Sequence, residues 1–276
     1  MSSSTDEKGT HQNVARAANV LNVLTEGAQT GLRLTDIAKA TGLSKAVAHR
    51  LLAGMIKYNL VDYDEVAARY FLGLHTVIWG TKAKNRFGLE QIAETALQHL
   101  CTKTEDTVYL MLRDENMCFC IARHEGSFPI KTLTMNVGDR RPLGYGAGPL
   151  AILSFLPDPA IEAAIKENRS EIKKFGLSDP DIWKVVGDTR ARGYLILDEG
   201  VTPGMSCVAV PIRRRDGEAI AAINIVAVSN RMTPERSQKI AELILAEVAD
   251  LEAKLGSVGL SVDGVNVIKS RSLKSD

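Results

Sequence analysis

Residues 35–52 carry the pattern that most restricts how this chain can fold. Thr35 is suited to cap a short helix that buries Ile37 and Ala38, and Gly42 is suited to end it. Ser44 is suited to cap a second helix. The apolar stripe predicted for that second helix comprises Val47, Leu51, Leu52, Met55 and Ile56. Two helices joined by a glycine turn indicate a helix-turn-helix, a unit that places its second helix in the major groove of DNA.

The opposite side of the second helix carries the residues suited to contact DNA. Lys45 and Arg50 are expected to set affinity through phosphates. His49 and the methyl groups of Ala46 and Ala48 are expected to supply limited base choice. A solvated helix face also carries lysine and arginine, so periodicity alone does not separate the two interpretations. The glycine turn, and a strand pair that follows it, favour DNA binding.

That strand pair is predicted at residues 61–63 and 69–72, around a turn at residues 64–68. Such a pair forms the wing of a winged helix-turn-helix. Arg69 at the base of the wing is suited to contact a phosphate, and the alternative is a wing charge in water. The predicted DNA-contact residues are therefore Thr35, Ser44, Lys45, Ala46, Ala48, His49, Arg50 and Arg69.

Charge is distributed unevenly along the chain. The 276 residues have a formal net charge of +1, so a basic field over the whole protein is not the argument for nucleic acid. Residues 1–86, however, contain 11 Lys and Arg against 7 Asp and Glu, a net charge of +4. This local excess suits a DNA-binding head on an otherwise balanced protein.

Cysteine usage and hydropathy favour a cytoplasmic protein. Four cysteines form neither a CxxC pair nor a disulfide framework, so reduced thiols are expected. Residues 1–10 lack the apolar core of a signal peptide, and no run approaches the ~18 apolar residues of a membrane span. Cys118, Cys120 and His124 lack further ligands at metal-binding spacing. Two buried thiols are therefore favoured, and no metal, cofactor or membrane partner is expected.

The remaining pattern predicts an α+β domain with one antiparallel sheet and helices on one face. Helices are predicted at residues 14–24, with Asn13 as the cap, at 74–86 and at 89–103. Strand patterns lie at residues 107–112, 117–122, 130–134, 194–197, 206–212 and 219–228. Further helices lie at residues 148–155, 159–168 and 180–192, and a last one begins at Pro234. Residues 1–10 and 258–276 are expected to be disordered tails.

A glycine-rich loop at residues 143–148 leads into a helix that has Pro149 in its first turn. Free backbone N–H groups at a helix N-terminus bind anions, and glycines let the backbone come close. The loop therefore suits a carboxylate ligand, and a glycine turn needed only for packing is the alternative. Tyr145 is suited to stack on an aromatic ligand, or is a surface-loop tyrosine.

A specific combination of motifs extends from about residue 14 to residue 255. It comprises residues 37–38, 41–43, 49–52, 70–73, 137–138, 142–143, 192–194, 203–204, 207–211 and 233–236. The combination resembles the IclR family of bacterial transcriptional regulators. The resemblance implies a winged helix-turn-helix DNA-binding domain at residues 11–73, a linker helix at 74–88 and a GAF-like effector-binding domain at 89–257. It also implies homodimers, often paired into homotetramers, on palindromic operators in double-stranded DNA.

The same resemblance implies an effector site. Gly146 and Ala147 match the positions of the family's carboxylate contacts. Cys207 matches a position that lines the pocket from a strand, although from chemistry alone it would be a buried strand thiol. Asp198 lies near the position of the family's acidic ligand contact.

Two departures from the family pattern bear on the ligand and on the DNA. Asn224 and Val226 occupy positions where many members carry two serines, which favours a ligand with an apolar or aromatic body. Met205 is the expected apolar floor, and a core methionine is the alternative. Residues 46–48 replace hydroxyl side chains of many members, so fewer side-chain hydrogen bonds to DNA are expected there.

These observations predict a DNA-binding transcriptional regulator of a catabolic operon rather than an enzyme. A small, aromatic carboxylic acid is expected to control it, with the linker helix changing the separation of two heads on DNA. One alternative is a constitutive DNA-binding repressor with no effector. A less favoured alternative is an enzyme that uses Cys207 as nucleophile beside His124 or Asp198, but nothing resembles a nucleophile elbow.

Overall fold

The computed structural model describes residues 4–27, 29–199 and 201–257. The chain divides into two compact units, residues 1–86 and 87–276. The predicted tail at residues 258–276 lies outside the described residues.

The N-terminal unit is a helix-turn-helix followed by a two-stranded wing. Its elements are α1 (Ser4–Glu26), α2 (Leu34–Thr41), α3 (Lys45–Lys57), β1 (Val61–Asp64), β2 (Arg69–Leu72) and α4 (Leu74–Phe87). The predicted strand pair is present, and the two strands are antiparallel with Val61 opposite Leu72. A small core joins α1, α2, α3 and the wing, and its buried members are Val20, Leu24, Ile37, Leu52, Met55, Val61 and Tyr70.

Two helix starts in this unit differ from the prediction. Helix α1 begins at Ser4 rather than after Asn13, so it includes residues 4–10 of the segment predicted as a tail. No proline lies in residues 4–13, and Gly9 lowers the helix propensity of this stretch without ending the helix. Thr35 is not a cap, because α2 begins at Leu34 with Arg33 at the N-cap position. Leu34 packs against the core of this unit, which draws it into the first turn.

The C-terminal unit is an α+β domain built on one six-stranded antiparallel sheet. Its strands are β3 (Thr107–Asp114), β4 (Met117–His124), β5 (Arg140–Pro142), β6 (Leu195–Leu197), β7 (Met205–Arg213) and β8 (Ala219–Val228). Their spatial order is β5-β4-β3-β8-β7-β6. The helices are α5 (Leu89–Thr104), α6 (Ala147–Ser154), α7 (Asp158–Lys174), α8 (Asp179–Arg192) and α9 (Pro234–Ser257).

Helices cover both faces of this sheet, whereas one covered face was predicted. Val108 and Leu110 of β3 belong to a core shared with α5 and α9. Tyr109 and Met111 of the same strand belong to a second core, shared with α6, α7 and α8. Strand β8 is buried from Ala219 to Ala227, so both of its faces are apolar and both require cover.

Residues 130–134 do not form the predicted strand. Backbone groups of this segment instead pair with side chains of the sheet. The Tyr109 hydroxyl donates to the carbonyl oxygen of Thr132 at 2.6 Å and accepts from the Thr134 N–H at 3.1 Å. The Thr132 hydroxyl donates to the carbonyl oxygen of Val226 at 2.8 Å. These bonds hold the segment against one face of the sheet. The edge of β4 pairs with β5 instead.

A buried carboxylate joins the end of α5 to the start of α9. The side chain of Asp106 is 3% exposed and accepts from Arg231 Nε at 3.1 Å and from Arg236 Nη2 at 2.7 Å. Both guanidinium groups also donate to the carbonyl oxygen of Thr104, at 3.2 and 2.8 Å. The Arg231 guanidinium lies 3.8 Å from the ring centre of Phe128. This network fixes three separate segments around one buried charge.

Candidate DNA-binding helix and effector pocket

The exposed face of α3 includes the first residues of the helix, Lys45 and Ala46. Ser44 is the N-cap and accepts a hydrogen bond from the Val47 N–H at 3.4 Å, as predicted. Gly42 ends α2 with φ 68°, a left-handed conformation that glycine adopts without strain. Lys45, His49 and Arg50 are exposed, and so is Ala46. The first two turns of α3 therefore present basic and small side chains together, as an entry into a major groove requires.

Ala48 does not belong to this face, and its predicted contact with DNA is wrong. It is 0% exposed and forms the buried row of α3 with Leu52 and Met55. These positions follow the i, i+4, i+7 spacing of one helix face. The predicted stripe began at Val47, which is only partly buried, and did not include Ala48. Of the two alanines predicted to contact DNA, Ala46 is therefore the exposed one.

Arg69 and Thr35 are both engaged within the head. Arg69 Nη1 donates to the carbonyl oxygen of Gly31 at 2.7 Å, which joins the base of the wing to the segment before α2. The guanidinium has five N–H donors, so this bond leaves donors for a phosphate. Thr35 is exposed in the first turn of α2, and its hydroxyl donates to Asp36 Oδ1 at 3.3 Å.

A cavity in the C-terminal unit lies between the start of α6 and the sheet. The predicted residues that line it are Gly146, Ala147, Met205, Cys207, Asn224 and Val226. The other lining residues are Tyr109, Met111, Thr134, Met135, Arg141, Gly148, Pro149, Val201 and Thr202, of which Gly148 and Pro149 belong to the predicted anion-binding loop and helix start. Strands β3, β7 and β8 form the apolar wall, and residues 134–135 and 201–202 form the sides.

One end of the cavity is rich in hydrogen-bond donors. Gly146 is the N-cap of α6 and has φ 96°, a value that favours glycine. The next two residues, Ala147 and Gly148, have N–H groups at the first turn, where an α-helix has no internal acceptor for them. The Arg141 guanidinium reaches the same place, since its Nη1 would lie 3.4 Å from a Cβ added at Gly146. Its Nη2 donates to the carbonyl oxygen of Thr134 at 2.9 Å.

Arg141 is the main functional residue that sequence reasoning missed. It lies on β5, a three-residue strand, and the pairing of Cys118 with Arg141 sets its position. The available signal was a pair of arginines immediately before the glycine-rich loop, at residues 140–141. Periodicity over so short a strand does not show which of the two arginines faces the cavity.

Two predicted effector contacts do not line the cavity. The ring of Tyr145 packs on Phe175, with centres 5.2 Å apart, and lies 5.7 Å below the Arg141 guanidinium. Tyr145 therefore supports Arg141 instead of facing the cavity. Asp198 is exposed, because β6 ends at Leu197 and the chain then leaves the sheet.

The buried thiols are protonated at neutral pH. Burial raises the pKa of Cys207 to about 12, against the opposing charge of Arg141. Burial likewise raises the pKa of Cys120 to about 11 and that of Cys118 further. A thiol in this state is a poor nucleophile, which disfavours the interpretation of Cys207 as a catalytic residue. Within the described ranges, no group of three or more His, Cys, Asp or Glu is arranged to hold a metal ion.

Strand β8 presents an amide to the cavity beside the first turn of α6. Asn224 is 8% exposed, and its Oδ1 has no hydrogen-bond partner among the residues that the structure describes. This oxygen would lie 3.0 Å from a Cβ added at Gly148, so the amide packs directly on the first turn of α6. Three methionines, Met111, Met135 and Met205, also line the cavity.

The described part of the chain contains no helix that is both long and apolar enough to cross a membrane.

Both units match domains of one known family. The IclR helix-turn-helix domain matches residues 13–65, and the bacterial transcriptional regulator IclR C-terminal domain matches residues 81–253. The HTH-type transcriptional regulator KipR of Bacillus subtilis is 26% identical over 250 residues, which cover 89% of this chain and 98% of KipR.

Solved structures show the same fold. An IclR transcriptional regulator from Alicyclobacillus acidocaldarius superposes with a TM-score of 0.75 at 22% identity and covers 88% of this chain and 98% of its own. An IclR homolog from Microbacterium hydrocarbonoxydans, complexed with 4-hydroxybenzoate, gives a TM-score of 0.71 at 17% identity and covers 88% and 99%. With both of its units matched, the chain belongs to the IclR family and is a DNA-binding transcriptional regulator.

Proposed function

We propose that this regulator controls a catabolic operon and that a small carboxylic acid with an apolar, aromatic body sets its operator affinity. The acid binds in the cavity between α6 and the sheet. The observation that carries this proposal is the convergence of the Arg141 guanidinium and the free N–H groups of α6 on the Gly146 corner.

A carboxylate suits that corner for two reasons. A helix N-terminus carries partial positive charge and unpaired N–H donors, which together stabilise an anion. A guanidinium binds a carboxylate through two parallel hydrogen bonds, and such charge-assisted bonds are stronger than neutral ones. Burial beside apolar strands strengthens both effects, because fewer waters screen the charge.

The wall of the cavity favours an apolar ligand body. The cavity volume is ≈ 30 Å³, whereas an apolar cavity that takes a benzene ring measures about 150 Å³. A ring therefore requires side chains to move. Met111, Met135 and Met205 are suited to this, because unbranched methionine side chains repack readily. The 4-hydroxybenzoate complex of the Microbacterium homolog gives independent support for an aromatic acid.

The DNA side of the proposal rests on Lys45, His49 and Arg50 of α3, with Ala46 against a thymine methyl. We propose that the chain acts as a homodimer, paired further into a homotetramer, on a palindromic operator. The exposed apolar residues Leu74, Val77, Ile78 and Trp79 of α4 support self-association. The ligand acts by shifting the population between arrangements of different operator affinity, which requires that it bind those arrangements unequally.

DNA binding should depend steeply on salt. Duplexes that the protein selects from a random pool should contain two inverted half-sites, since a dimer with two-fold symmetry reads both. Lys45→Ala and Arg50→Ala should each weaken binding and reduce the slope of log affinity against log salt by about 1. Lys57→Ala is the matched control, because Lys57 is an exposed lysine at the far end of the same helix. A salt-independent affinity would contradict the assignment of α3.

Ligand binding should appear as thermal stabilisation. In a panel of aromatic and aliphatic carboxylic acids, at least one acid at about 100 times its Kd should stabilise the C-terminal unit by about 2.7 kcal/mol, a shift of several degrees in Tm. The matched neutral amide of that acid should give no shift, because it lacks the charge that Arg141 recognises. A flat response across the panel would favour the constitutive repressor instead.

A further inference from the structure

A strap of residues 129–137 crosses one face of the sheet, and its members Thr134 and Met135 line the cavity. The strap forms neither a helix nor a strand. Its two ends are anchored through the backbone. The Phe128 N–H donates to a carbonyl oxygen between α5 and β3 at 3.0 Å, and the Gly138 N–H donates to one in β4 at 2.8 Å. The strap is therefore a side of the cavity that is fixed at its ends and can move between them.

Between these ends, side chains of the sheet hold the strap. The Tyr109 hydroxyl bonds it twice, at the Thr132 carbonyl oxygen and at the Thr134 N–H. Arg141 Nη2 and Arg123 Nη1 each donate to one carbonyl oxygen of the strap, both at 2.9 Å. Tyr109 and Arg141 also line the cavity. A ligand in the cavity therefore contacts two of the side chains that hold the strap in place.

The cavity in this structure is smaller than an aromatic ring requires. Its volume is ≈ 30 Å³, against about 150 Å³ for an apolar cavity that takes a benzene ring. Strands β3, β7 and β8 pair with neighbours along their length, so displacing one of them breaks a run of ladder hydrogen bonds. Displacing the middle of the strap breaks a few side-chain hydrogen bonds, each of which contributes little to stability. The strap is therefore the side of the cavity that yields more readily than the sheet.

We propose that the effector displaces the strap when it enters the cavity, because its carboxylate draws Arg141 away and its body takes the space of Met135. The strap also carries Ile130, Leu133 and Val137, which are each more than half exposed. Their displacement transmits the occupancy of a buried cavity to the surface of the C-terminal unit. This inference rests on the proposed effector function, because an acid must be bound to compete for Arg141.

The test places a nitroxide label on the strap of the full chain and follows its mobility by electron paramagnetic resonance. Leu133→Cys carries the label. Thr95→Cys is the matched control, because Thr95 is exposed on α5, which packs on the other face of the sheet. The native cysteines Cys101, Cys118, Cys120 and Cys207 are buried, and burial raises the pKa of each thiol, so the reagent reacts at the introduced one.

Binding of benzoate, 4-hydroxybenzoate and the other acids of the panel is first measured by calorimetry, and the acid that binds most tightly is used as the probe. At saturation it should shorten the rotational correlation time of the strap label at least about two-fold, as for a segment that gains nanosecond loop motion. The control label should not change. Without acid, Tyr109→Phe should also make the strap label more mobile, because it removes the hydroxyl that holds Thr132 and Thr134.

An acid that binds by calorimetry but leaves the strap label unchanged, or immobilises it, would overturn the displacement while the proposed function stands. An equal change at both labels would overturn it as well, since the motion would not be confined to the strap. Unchanged mobility of the strap label in Tyr109→Phe would overturn the assignment of Tyr109 as an anchor. Failure of every acid to bind would overturn the proposed function and the displacement together.

Discussion

Asp106→Ala is expected to lower the free energy of unfolding of the C-terminal unit by about 3–5 kcal/mol. Asp106 is buried and accepts hydrogen bonds from two arginines that lie 125 and 130 residues away in sequence. Removal of the carboxylate takes the buried charge partner from both guanidinium groups and leaves Arg231 the exposed Glu105 at 3.8 Å. The carbonyl oxygens of Thr104 and Arg231 do not replace a buried negative charge. Urea unfolding of the full chain in a Trp79→Phe background, where Trp183 of this unit is the remaining tryptophan, measures the loss by fluorescence.

Glu105→Ala is the matched control. Glu105 precedes Asp106, its side chain is 57% exposed, and it lies 3.8 Å from the same Arg231. An exposed ion pair contributes about 0–1 kcal/mol, so this variant should unfold almost as wild type does. Equal effects of the two substitutions would show that burial of the Asp106 network does not stabilise this unit.

Arg141→Met is expected to weaken effector binding about 10- to 150-fold, which corresponds to the roughly 1.5–3 kcal/mol of a hydrogen bond to a charged group. Methionine keeps an apolar stem of similar length and removes the guanidinium. Titration calorimetry with the acid identified by thermal shift measures the change. Arg141→Lys should give an intermediate affinity, because lysine keeps the charge but does not form the bidentate hydrogen bonds of a guanidinium to a carboxylate.

Arg140→Met provides the control for a lost arginine on the same strand. Arg140 is exposed and does not line the cavity, so its replacement should leave ligand affinity within about two-fold of wild type. The bond from Arg141 to the Thr134 carbonyl oxygen adds a structural role, which the melting temperature of each variant separates from binding. Unchanged affinity of Arg141→Met for the acid would show that the carboxylate binds in another part of the cavity.

Local sequence signals predicted most of the secondary structure. Gly42 and Ser44 fix the turn and the start of α3 through backbone conformation and capping, which depend on a few adjacent residues. Which residues of a helix face the core depends on how that helix packs against other helices. For this reason α3 itself was predicted correctly, whereas Ala48 was assigned to the wrong face. The same limit applies to residues 130–134, whose partners Tyr109 and Val226 are distant in sequence.

The family resemblance predicted most of the residues that line the cavity but not the arginine at its corner, Arg141. Six of the eight predicted effector residues line the cavity, because the backbone around Gly146 and β7–β8 determines their positions. Tyr145 and Asp198 do not line it, and Arg141 was not expected there. Tyr145 lies in a loop, Asp198 follows the end of β6, and Arg141 lies on a strand of three residues, so one residue of register decides which way each side chain points. Sequence patterns carry little information at such positions.

We propose that one acid, bound in the cavity between α6 and the sheet, changes the affinity of α3 for its operator. Fluorescence anisotropy with a duplex selected by the protein, at fixed salt, measures operator Kd with and without a saturating concentration of the acid. Wild type should change its Kd by at least about five-fold, a coupling of about 1 kcal/mol. Arg141→Met should require an acid concentration about 10- to 150-fold higher for half of this change, because the substitution weakens acid binding by that factor. An unchanged operator Kd in wild type, or the same half-effect concentration of acid in wild type and Arg141→Met, would contradict effector control through this cavity.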